Sequence, residues 1–61
     1  MTGLIRVGAE VRTVRGKTRW KVTELSDRHA HVTKIDADGN VAGYVNQTFA
    51  IANLVLVERA A

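Results

Sequence analysis

Apolar and polar residues alternate in short runs along most of this chain, and turn-forming residues separate the runs. A period of two predicts strands, whose side chains point alternately to the two faces of a sheet. Five strands are expected: Glu10–Val14 with a looser lead-in from Leu4, Thr18–Leu25, His29–Asp36, Val41–Thr48 and Leu54–Glu58. Arg15-Gly16-Lys17 joins the first pair, and Ser26-Asp27-Arg28 joins the second. Asp38-Gly39 is the clearest hairpin signal and suggests a two-residue type I′ loop. Strand-like runs spaced in this way predict an all-β barrel or sandwich. The one helical exception is short. Thr48 is placed to cap a single turn through Phe49-Ala50-Ile51-Ala52, with Asn53 leaving it in a left-handed conformation.

Register then assigns faces. A two-residue loop at Asp38-Gly39 pairs Asp36 with Val41, Lys34 with Gly43 and Val32 with Val45. Val32, Val41 and Val45 share the core face in that arrangement. His31 opposite Asn46, Thr33 opposite Tyr44 and Ile35 opposite Ala42 share the outer face. On the second strand Trp20 and Val22 point inward, and Arg19, Lys21 and Thr23 point outward. The last strand, Leu54-Val55-Leu56-Val57, is apolar on both faces. One face belongs to the core. The other, with Val55 and Val57, is covered by the N-terminal segment or meets a protein partner or a second copy.

Composition agrees with strands. Nine Val, three Ile and six Thr give eighteen β-branched residues among sixty-one. Proline is absent, so Gly, Asp and Asn must make the turns. A chain this short buries only about 60% of its unfolded surface, so its stability is small. No disulfide can support it, because there is no cysteine. One domain is expected to fill residues 1–61. No apolar run approaches the roughly twenty residues of a membrane-spanning helix. A soluble protein of a reducing compartment, the cytoplasm, is therefore expected, with no membrane partner.

The order of signals carries a resemblance. Gly8-Ala9-Glu10-Val11-Arg12 opens the chain, followed by Gly16-Lys17 and Trp20-Lys21-Val22. The Asp-Gly hairpin, a short turn and Asn53-Leu54-Val55-Leu56-Val57 complete it. This pattern resembles the small SH3-like β-barrels of bacterial and phage proteins, the KOW and Tudor-like groups among them. The resemblance implies a five-stranded SH3-like barrel with one 3-10 turn before the last strand. It also implies a bacterial cell or a phage-infected host. KOW-type members commonly bind RNA or ribosomal and transcription partners, and Gly16 matches their loop glycine. Such barrels host many unrelated roles, so function must be argued from the site.

Charge supplies the strongest candidate. Arg12, Arg15, Lys17, Arg19 and Lys21 fall within ten residues that contain no acid. The whole chain is only +3, so the remainder is net −2. A concentrated cationic run can pair with phosphates and release their counterions, which points to DNA or RNA. The competing reading is a solvated hairpin whose cations discourage edge pairing. His31 and Tyr44, expected beside Arg19 and Lys21, complete the candidate set as base or sugar contacts, Tyr44 by stacking. Its bland alternative is an ordinary cross-strand pair with Thr33.

Catalysis finds no support. Asp36 and Asp38 are turn residues, and Glu10, Glu24 and Glu58 are scattered, so no paired-carboxylate site is expected. Ser26 has no identifiable histidine relay. His29 and His31 lie on one face but lack a third ligand, so neither a metal nor a cofactor is expected. The sequence thus predicts a non-catalytic binding module, for nucleic acid first and for protein assembly second.

Overall fold

A computed structural model describes residues 5–57. The lead-in residue Leu4 and the predicted strand end Glu58 lie outside the described residues. Five strands form: β1 Glu10–Thr13, β2 Arg19–Leu25, β3 His29–Ile35, β4 Val41–Ala50 and β5 Leu54–Leu56. A 3-10 turn over Ile51–Asn53 precedes β5. All pairings are antiparallel and make one sheet in the order β4-β3-β2-β1-β5. β4 and β5 are its two ends and are not paired with each other. No helix among the described residues is long and apolar enough to cross a membrane.

The core follows the predicted inward residues of β2. Val11, Trp20, Val22, Ala30, Val32 and Leu54 form one buried cluster. Ile5, Ala9, Leu25, Phe49, Ile51 and Leu56 pack around it. Trp20 meets Phe49 edge to face, with ring centroids 5.4 Å apart and planes at 69°. That geometry sets the positive rim of one ring against the negative face of the other. Gly8 and Ala9 extend the β1–β2 ladder through Gly8 N–H to the Val22 carbonyl and Val22 N–H to the Ala9 carbonyl.

The 3-10 turn differs from its expected form. It begins two residues later, after an extended Ala50, and no side chain caps it. Thr48 instead shares a hydrogen bond with His31 Nδ1 at 3.0 Å, and Asn53 does not adopt positive φ. Backbone bonds hold the turn in place. Ile51 N–H donates to the Arg28 carbonyl, and Val14 N–H donates to the Asn53 carbonyl.

The β3–β4 hairpin departs most from the sequence reading. Its loop is not type I′, because Asp38 lacks positive φ and only Gly39 has it, at 89°. Gly39 N–H donates to the Asp36 carbonyl, and Asp36 N–H to the Asn40 carbonyl. The Asp36 carboxylate accepts from the N–H groups of Asp38 and Asn40, at 2.9 and 3.0 Å. This is a three-residue loop closed by a left-handed glycine.

The altered loop moves the register. Ile35 pairs with Val41, but Thr33 pairs with Asn46 and His31 with Thr48. Between Thr33 and Ile35, β3 contributes Lys34 alone while β4 contributes Ala42, Gly43, Tyr44 and Val45. Three residues are extra, so β4 bulges. The longer loop shifts pairing by one residue and turns Val41 to the outer face with Ile35, and the three extra residues return Asn46 and those after it to their expected faces. Val41 therefore leaves the core face and Val45 falls within the bulge, and they are 52% and 38% exposed. Ile35 keeps its expected face, paired with Arg19, but is buried there apart from the main cluster. Tyr44 lies in the bulge rather than opposite Thr33. Thr33 is itself buried, with its hydroxyl directed to the Val45 carbonyl.

Candidate functional site

The five clustered cations of the sequence do not stay together in space. Arg12 and Arg19 are half-buried; Arg15, Lys17 and Lys21 are exposed. Val11 pairs with Trp20 and Glu10 with Lys21, so the next step of the ladder sets Arg12 across from Arg19. Both lie on the face opposite the core. Arg12, Lys17 and Arg19 line a shallow groove of about 450 Å³ with Gly16, Leu56 and Val57. Leu56 at the end of β5 and Val57 after it supply its apolar lining, and the three cations its charge.

Arg12 is oriented by its own strand. Its Nη1 donates at 3.3 Å to the carbonyls of Thr13 and Val14. A guanidinium has five N–H donors, so the rest of the fork is available to a ligand. The β1–β2 connection is tight, with Gly16 N–H donating to the Thr13 carbonyl. A Cβ at Gly16 would collide with the Thr13 hydroxyl, so glycine is required there for space.

A second groove of about 270 Å³ adjoins the first and shares Lys17 and Arg19 with it. Lys34, Ile35, Asp36 and Ala37 complete its lining, with Thr18. Lys34 extends the cationic track and is not anticipated from the sequence. It lies outside the acid-free run, and pairing with Trp20 sets its position on β3.

The other predicted residues are distributed differently. Arg15 lines a separate depression with Thr13, Val14, Phe49 and Asn53, away from the Arg12–Arg19 groove. Lys21 lies two residues beyond Arg19 on the same face, paired with Glu10 and Thr33. The run that is acid-free along the chain thus acquires an acid in the folded sheet. His31 is exposed and held by Thr48. Among the described residues no three His, Cys, Asp or Glu side chains gather to hold a metal. Tyr44 is 89% exposed and left-handed, with φ 52°, directly after Gly43 at φ 74°.

No family model, curated protein or solved structure matches this chain. Function must therefore be argued from the groove itself. Like charges set across a ladder oppose folding, by about 0.2–1 kcal/mol per pair. Arg12 across from Arg19, with Lys17 in the same groove and Lys34 lining the adjoining one, concentrates positive charge there. Two arginines and two lysines offer bidentate and point-charge contacts to phosphate or carboxylate oxygens.

Proposed function

We propose that the chain is a non-catalytic nucleic-acid-binding module built on an SH3-like barrel. The strand order β4-β3-β2-β1-β5, with a single 3-10 turn leading into β5, supports the barrel. The observation that carries the binding reading is the pair of adjoining grooves sharing Lys17 and Arg19 and flanked by Arg12 and Lys34. These four cations contact phosphates. Lys21 adds long-range attraction from the same face. Arg15, facing elsewhere, contributes little.

Fluorescence anisotropy with labelled DNA and RNA at several salt concentrations tests this. Four phosphate contacts predict a log–log salt slope of about −3 to −4. Arg19→Glu with Lys17→Glu should abolish binding, and Arg15→Glu should weaken it only slightly. An absence of binding at low salt, or an affinity unchanged in the double variant, defeats the proposal.

A second reading is a protein-assembly module. It is favoured by β5, an end strand whose Val55 is only half-buried, as is Val57, which follows the strand and lines the groove. A partner strand or a second copy would cover them. Light scattering on a sizing column separates the versions, because a monomer across the micromolar range excludes self-association through β5.

A further inference from the structure

We infer that the site takes single-stranded rather than duplex nucleic acid, with Tyr44 as the stacking platform for a base. This rests on the nucleic-acid reading above and names the form of its ligand.

The argument begins with conformational cost. A left-handed backbone is unfavourable for any residue with a Cβ, and more so for a bulky one. Such strain persists where its surroundings impose it, and it concentrates at ligand-binding positions. Tyr44 recovers nothing through burial, because its ring is 89% exposed. An aromatic ring in water on a strained bulge is poorly explained by folding. It is well explained by contact with a ligand that has a flat apolar face.

Position supplies the second observation. Lys34 is the single β3 residue spanned by the bulge that carries Tyr44. Lys34 also lines the groove that contains Lys17 and Arg19, which continues into the groove of Arg12. The four groups therefore fall on successive strands: Arg12 on β1, Arg19 on β2, Lys34 on β3 and Tyr44 on β4. Lys34 pairs with Trp20 and so leaves the sheet on the other face from Arg12 and Arg19, meeting Arg19 where both line the second groove; strands about 4.8 Å apart make the four-strand span about 14 Å. Cations tracking a backbone beside an exposed ring are the combination that recognises unpaired bases, since every base presents a π-face. In a duplex those faces are already stacked and closed to Tyr44.

The test uses the full chain and fluorescein-labelled oligothymidylate, oligouridylate and a mixed-sequence duplex, read by anisotropy at several salt concentrations. Variants are Tyr44→Phe, Tyr44→Asn and Lys34→Ala, each checked for folding by circular dichroism. At least one single strand should bind more tightly than the duplex. Tyr44→Phe should bind within about twofold of the parent. Tyr44→Asn, which suits left-handed backbone, should weaken single-strand binding about 5- to 150-fold and leave the salt slope unchanged. Lys34→Ala should make the slope shallower by about 0.7. Duplex binding equal to or tighter than single-strand binding overturns this inference and leaves the nucleic-acid reading standing. Undiminished single-strand binding by Tyr44→Asn does the same. Absence of binding to all three probes overturns both.

Discussion

Replacing Tyr44 by glycine should make the protein more stable, although it deletes the largest exposed side chain of β4. The left-handed conformation costs an L-residue about 1–2 kcal/mol, and glycine removes that cost. Glycine also has more freedom to lose on folding, which returns about 0.5–1 kcal/mol. The net gain is about 0.5–1 kcal/mol, because the exposed ring contributes almost no burial. For a domain this small that raises the melting temperature by about 2–8 °C. Urea denaturation followed by the fluorescence of Trp20 measures it directly, since Trp20 is the sole tryptophan and only 8% exposed. Asn46→Gly is the control. Asn46 occupies regular β4 opposite Thr33, so glycine there should cost about 0.5–1 kcal/mol. If Tyr44→Gly destabilises as much as the control, the ring packs usefully in the folded state and the argument from strain is wrong.

Other expectations follow from the same geometry. Arg19→Gln removes the like-charge pair with Arg12 and should leave stability equal or higher by up to about 1 kcal/mol while weakening nucleic-acid binding; a loss in urea denaturation would contradict the pairing. Val11→Ala deletes two methyl groups from a fully buried site and should cost about 2–3 kcal/mol, measured in the same experiment. That is a large share of the roughly 3–9 kcal/mol expected for a chain of this length. Asp36→Ala removes the acceptor of two loop N–H groups and should cost about 1–2 kcal/mol, with Asp36→Asn recovering much of it; equal losses in both variants would show that charge, not acceptor geometry, matters.

Strand positions were legible because period and turn residues agreed. The inward Trp20 and Val22 and the outward Arg19 and Lys21 follow from alternation along β2, which is regular up to the shift after Val22. The β3–β4 register was not legible, for two physical reasons. Asp36 folds its carboxylate into the loop and lengthens it beyond the two residues that Asp-Gly suggests. Gly43 was the available signal, since an isolated strand glycine often marks a bulge. Tyr44 concealed it, because an aromatic residue argues for regular strand. The misplacement of Val41 and Val45 descends from that slip, whereas Ile35 and Lys34 keep the positions that pairing with Arg19 and Trp20 gives them. Arg15 adjoins the other cations along the chain but lines a different depression, because proximity in sequence says nothing about which side of a turn a side chain takes.

The bulge has a consequence for how copies of this chain tolerate one another. β4 is the longest strand, lies at the end of the sheet and carries no charge from Val41 to Ala50. A straight, neutral edge of that length invites another molecule to extend the ladder, and charged residues are the usual deterrent. Here shape takes the place of charge. Three surplus residues break the row of outward N–H and C=O groups near its middle, so an incoming strand finds no continuous partner. A chain lacking Gly43, Tyr44 and Val45 would present an unbroken edge, and its tendency to form fibrils at high concentration should rise accordingly.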